Sequence, residues 1–120
     1  MKVLIVDDSK AMRMIVLRTL RQAGFGDHEF SEASNGREAL ERLTEERFSL
    51  VLCDWNMPEM SGIDLLRSLR ESGSKVPFGF VTSESSDAMR LSATEAGALF
   101  FITKPFTPEV FQSTLGSLFS

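Results

Sequence analysis

Thiols, imidazoles and phenols are nearly absent from this 120-residue chain, which has one cysteine, Cys53, one histidine, His28, and no tyrosine. A single thiol excludes an internal disulfide and a zinc site built mainly on thiolates, and it fits a reducing compartment. His28 follows a Gly–Asp turn with no His or Cys companion, so a surface side chain is the better reading than a ligand or a base. Basic clusters are missing too. The 13 Lys and Arg are scattered against 17 Asp and Glu, for a net charge of −4 and a pI near 5.0, which lacks the electrostatic footprint of a nucleic-acid binder. No apolar run approaches the roughly 20 residues of a membrane helix, and the opening MKVLIVDD is too short for a signal-peptide core. A cytoplasmic protein with neither nucleic acid nor membrane as partner is expected. Linker composition, low complexity and internal repeats are also absent, so residues 1–120 read as a single domain.

What the chain does have is a regular alternation. Hydrophobic residues make up 42% and charged residues 25%, enough apolar material for a real core. Val3 to Val6 is a β-branched-rich apolar run, as in a strand buried on both faces, and it ends at Asp7 and Asp8. From Ser9, apolar positions at Met12, Ile15, Val16, Thr19, Leu20 and Ala23 predict an amphipathic helix stopped by Gly24. Glu29 to Ala33 is a short candidate strand, and Asn35 with Glu38 resembles a helix-start box. Phe48 to Cys53 runs into Asp54, after which Ser61 caps a helix that stops at Gly73. Val76 to Val81 ends at Thr82, with a weaker helix following to Gly97. Ala98 to Thr103 ends at Lys104, and Thr107 with Pro108 opens a last helix. About five strand–helix units predict an α/β fold, a parallel sheet with helices on both faces.

In open sheets of this kind, ligands bind outside the carboxyl ends of the strands. Asp7, Asp8, Asp54, Thr82 and Lys104 all fall at such ends. Three carboxylates at one edge raise each other's pKa unless a cation sits among them, and oxygen-only ligands favour a hard ion such as Mg²⁺, which commonly shares its site with phosphate. A carboxylate can itself accept a phosphoryl group, and that transfer needs mainly positioning and charge neutralisation. Lys104 offers a point charge and Thr82 a hydroxyl for phosphoryl oxygens.

Asp7-Asp8-Ser9, Asp54-Trp55-Asn56-Met57-Pro58, Thr82-Ser83-Glu84 and Lys104-Pro105-Phe106, in that order over the whole chain, resemble the motif set of response-regulator receiver domains. The similarity is greatest to the CheY-type chemotaxis branch, a flavodoxin-like fold with strand order 2-1-3-4-5. The resemblance implies Asp54 as phosphoacceptor and a Mg²⁺ site of Asp7, Asp8, Asp54 and the Asn56 carbonyl, with Asp7 acting mainly through water. Thr82 and Lys104 would pair with the phosphoryl group, and Phe101 would be the aromatic switch partner of Thr82. It also implies a cis Lys104–Pro105 bond and a self-reset rate shaped by Asn56 and Glu84. The expected protein is a stand-alone regulator, a monomer with phosphorylation-linked dimerisation left open. It would be phosphorylated by a histidine kinase and would signal through the fourth helix, fifth strand and fifth helix to a target such as the flagellar motor switch. It would not be an enzyme with an external substrate.

Competing readings are specific. A phosphorelay intermediate would hand the group on to a histidine phosphotransfer protein. A haloacid-dehalogenase-type phosphatase would want Asp-x-Asp where this chain has Asp-Asp-Ser, and a flavodoxin-like carrier would want a Ser/Thr/Gly-rich loop after the first strand. Phe101 departs from the tyrosine common at the CheY switch position, and Arg90 is the main cation on a face that is more basic in CheY. Trp55 reads equally as a gate over the pocket or a loop aromatic. Most of the Phe-rich tail, Phe100, Phe106, Phe111 and Phe119, reads as core.

Overall fold

A computed structural model describes residues 1–119. Strands and helices alternate as β1 (Lys2–Val6), α1 (Lys10–Gln22), β2 (Glu29–Ala33), α2 (Gly36–Glu45), β3 (Leu50–Cys53), α3 (Gly62–Glu71), β4 (Phe78–Thr82), α4 (Asp87–Glu95), β5 (Phe101–Thr103) and α5 (Pro108–Phe119). All five strands are parallel in the order β2-β1-β3-β4-β5. The chain leaves β1 toward β2 and then returns across it to β3, so the switch point lies between the carboxyl ends of β1 and β3.

Side-chain alternation along the central strands feeds two cores. Val3, Ile5, Leu50, Leu52, Val81 and Ile102 pack with Val16 and Leu20 of α1 and Phe111 and Leu115 of α5. The intervening residues Leu4, Val6, Val51, Cys53, Phe78 and Phe80 face Ala39 of α2, Leu65, Leu66 and Leu69 of α3 and Ala93 of α4. A period of two thus distributes one apolar run between two layers, which is why β1 and β3 read as continuous apolar sequence. Edge strand β2 is polar and less buried.

Helix starts follow the expected chemistry. Ser9, Asn35 and Ser61 each accept a hydrogen bond from the backbone N–H three residues on, and Thr107 Oγ1 accepts one from Val110 at 3.2 Å. The second helix start is half a capping box, because the Glu38 carboxylate accepts from the Ser34 hydroxyl at 2.7 Å. Three strands are shorter than the apolar runs that announce them. Ala98 cannot join β5 because its N–H closes the end of α4 on Ala93 O at 2.9 Å, after Gly97 at φ +99°. Val76 and Pro77 precede β4, where Pro77 has no N–H to give a ladder, and Phe48 and Ser49 lead into β3. The tail phenylalanines divide as expected: Phe111 is buried, and Phe100, Phe106 and Phe119 pack partly buried against the α1/α5 core. His28 is half-buried against Phe119, with ring centroids 4.7 Å apart. Among the described residues no helix is long and apolar enough to cross a membrane.

Candidate functional site

The sheet ladder continues one residue beyond β1, β3 and β5. Asp7 N–H donates to Ala33 O at 3.2 Å, Asp54 N–H to Val6 O at 2.9 Å and Lys104 N–H to Thr82 O at 2.9 Å. Asp7, Asp54 and Lys104 stand two residues after Ile5, Leu52 and Ile102, all of which face α1 and α5. Strand alternation therefore carries all three functional side chains to the same face.

The result is a compact charged pocket. Lys104 Nζ lies 3.1 Å from Asp7 Oδ2 and 3.8 Å from Asp54 Oδ2. Asp7 is only 3% exposed, and its Oδ1 accepts the Ser9 N–H at 2.9 Å. Asp54 Oδ1 accepts the N–H of Trp55 at 2.8 Å. Asp8 is exposed at the rim, yet Asp7, Asp8 and Asp54 each present a carboxylate oxygen such that the three lie within 4.8 Å of one another. One ammonium contacts two of the three carboxylates. Burial pushes the Asp54 carboxyl above its usual range and the Asp7 charge adds to the rise, while Lys104, Thr82 and the Trp55 N–H pull the other way. The pocket carries surplus negative charge on oxygen donors alone, and those donors fit a hard divalent cation.

That surplus makes a signed prediction. The folded-state pKa of Asp54 is raised, so ionised Asp54 opposes folding above that pKa, and the opposition fades as pH falls through it. Without divalent cations, Asp54→Asn should melt above wild type near neutral pH, and the gap should close as pH drops toward 4. Melting curves across that range check it; a gap that widens in acid would reverse the assigned sign.

The remaining expected site residues frame this pocket. Thr82 is fully buried, and its Oγ1 accepts the Glu84 N–H at 3.5 Å. Asn56 is exposed and its side-chain amide donates to Glu84 Oε1 at 2.6 Å. The Lys104–Pro105 bond is cis. Trp55, open between gate and loop aromatic, packs inward, with its ring centroid 4.8 Å from Phe80 and 6.2 Å from Phe101. Phe101 lies one aromatic layer away from the acids, on the sheet face of Phe80 and α4. In the β4–β5 register Phe80 pairs with Phe101 and Thr82 with Thr103, so Thr82 and Phe101 are diagonal neighbours on that face.

Two interactions escape sequence reasoning. Arg90 stacks over Phe101 at 4.7 Å to the ring centroid, and its Nε donates to Ser85 Oγ at 3.0 Å. Arg13 donates to the Asp7 carbonyl oxygen at 2.6 Å and pairs with Glu32 at 2.8 Å. The only signal for Arg13 was its place six residues after Asp7, one cation among several on α1.

Comparison with known proteins agrees with this geometry. Residues 3–115 match the family described as the response regulator receiver domain. Chemotaxis protein CheY1 of Helicobacter pylori is 42% identical over 118 residues, covering 96% of this chain and 94% of that protein. Chemotaxis protein CheY of Pseudomonas aeruginosa is 40% identical over 121 residues, covering 99% and 96%. The solved structure of Vibrio cholerae chemotaxis protein CheY4 superposes with a TM-score of 0.83 at 36% identity, covering 98% of this chain and 97% of the other. The chain belongs to the response regulator receiver domain family.

Proposed function

We propose that the protein is a stand-alone, single-domain cytoplasmic response regulator of the chemotaxis type, phosphorylated on Asp54 by a histidine kinase. The observation that carries this reading is the pocket itself: Asp54, Asp7 and Asp8 within 4.8 Å by carboxylate oxygens, with Lys104 Nζ against two of them. The relatives named for chemotaxis match this chain over almost their full length, which supports the pathway.

In this reading an Asp54 carboxylate oxygen attacks the phosphorus of the donor. The new O–P bond forms as the donor's P–N bond to histidine, or P–O bond to a small acyl phosphate, breaks and its electron pair leaves with the donor. Lys104 pairs with one phosphoryl oxygen, and the Thr82 hydroxyl donates to another. Asp7, Asp8, Asp54 and the Asn56 carbonyl would hold Mg²⁺, which when bound neutralises part of the phosphoryl charge. Thr82, drawn toward the phosphoryl group, vacates space on the face it shares with Phe101, and Phe101 turns inward, so the surface of α4, β5 and α5 changes. Phe101 lacks a hydroxyl, so partners read its position by packing alone. Water in line with Asp54 later breaks the acyl phosphate at a rate set by Asn56 and Glu84, which makes the protein a self-resetting switch with no external substrate. Its target is a protein such as the flagellar motor switch, reached as a monomer.

Incubation with a radiolabelled phosphohistidine donor tests the reading. Alkali- and hydroxylamine-labile label should move to the wild-type chain and then appear as inorganic phosphate. Label that returns quantitatively to a phosphotransfer histidine would indicate a relay, and label stable to alkali would contradict the acyl phosphate.

A further inference from the structure

The backbone of Asp7 is held on both sides, and the Asp7–Asp8 peptide is held through its carbonyl. On one side the Asp7 N–H donates to Ala33 O of β2 at 3.2 Å. On the other, Arg13 Nη1 donates to the Asp7 carbonyl oxygen at 2.6 Å, from a side chain only 13% exposed. Arg13 is in turn held through its Nε, which donates to Glu32 Oε1 at 2.8 Å. Glu32 sits on β2 opposite Ile5, next to Ala33, so the same edge strand supplies one contact directly and anchors the other through Arg13 of α1.

This grip matters because the Asp7 carbonyl belongs to the peptide that leads into Asp8. Asp8 is exposed, so packing does not aim its carboxylate; the plane of the preceding peptide does. Asp7 itself is held by its own carboxylate contacts to Ser9 and Lys104. Arg13 therefore acts mainly on Asp8. A guanidinium beside an acidic pocket would also repel an entering cation, and Glu32 offsets that charge while leaving the fork geometry free to hold the carbonyl.

We propose that Arg13 and Glu32 form a positioning pair that fixes the Asp7–Asp8 peptide and thereby sets divalent-cation affinity. This rests on the reading of the acidic pocket as a Mg²⁺ site. Partners behind metal ligands commonly change affinity by about 10- to 100-fold when removed. Arg13→Met should weaken Mg²⁺ binding by about 10-fold. Arg13→Lys should restore little of it, because a point charge cannot hold the carbonyl and Glu32 together. Glu32→Gln keeps an acceptor for Arg13 but frees its charge, so it should weaken binding by a smaller, salt-sensitive factor.

Magnesium titrations followed by Trp55 fluorescence measure these affinities, and the Asp8 amide chemical shift in the metal-free variants reports the peptide plane directly. A shifted Asp8 amide in Arg13→Met with weakened Mg²⁺ binding is the expected result. Wild-type affinity in Arg13→Met with an unmoved Asp8 amide overturns the positioning role while leaving the metal site intact. Wild type that fails to bind Mg²⁺ removes the metal reading and this pair's role with it. If Arg13→Met does not fold, Glu32→Gln decides: binding equal to wild type at both low and high salt overturns the proposal.

Discussion

Lys104→Ala should take up phosphoryl groups from acetyl phosphate about 100-fold more slowly than wild type, the cost typical of removing one preorganised charge from a transition state. Lys104 is the ammonium closest to the acids, 3.1 Å from Asp7 and 3.8 Å from Asp54, so it is placed to meet the charge that arrives with the phosphoryl oxygens. The same substitution removes a positive charge that competes with a divalent cation for those carboxylates. Mg²⁺ affinity should therefore rise as phosphoryl transfer slows, and the two measurements moving in opposite directions distinguish loss of Lys104 from simple collapse of the pocket. Equal loss of both would mean that Lys104 serves only to hold the acids in place.

Gly62→Ala should cost about 3 kcal/mol, the upper end of ordinary overpacking, and lower the melting temperature by roughly 10 °C. A Cβ at this position would lie 2.2 Å from the Asp54 carbonyl oxygen and 2.9 Å from Phe80 Cε1. The helix cannot retreat freely, because Gly62 N–H donates to Trp55 O at 2.8 Å. Backbone at the start of α3 would be driven against the backbone of Asp54, so phosphoryl uptake should fall along with stability. Gly116→Ala is the control. Its Cβ meets nothing within 4 Å and it lies within α5, so the exchange should stabilise by up to about 1 kcal/mol. Thermal melts of the two variants separate steric conflict from a general effect of losing glycine.

Much of this architecture is written locally. Apolar runs ending in Asp7, Asp54, Thr82 and Lys104, and caps at Asn35, Ser61 and Thr107, are readable because strands, caps and stops act over a few neighbouring residues. Convergence of the acids follows from the same pattern, since parallel strands put all their carboxyl ends on one edge. What stayed hidden depends on contacts between distant segments. Whether Trp55 points inward is decided by Phe80 and Phe101, about 25 and 46 residues further on. The Arg13–Glu32 pair joins α1 to an edge strand whose position beside β1 came only from resemblance. The strands begin later than the apolar runs at Ala98 and Val76 because hydrophobicity does not reveal that a backbone N–H is already used by a helix end, or is missing at a proline.

The proposed function requires that Asp54 accept a phosphoryl group in a pocket dependent on a divalent cation. Intact mass after exposure to acetyl phosphate, with Mg²⁺ or with a chelator, tests it most directly on wild type and Asp54→Ala. Wild type should gain one phosphoryl group only with Mg²⁺, and Asp54→Ala should gain none in either condition. A phosphorylated Asp54→Ala, or a wild type that is modified equally well in chelator, would contradict the claim.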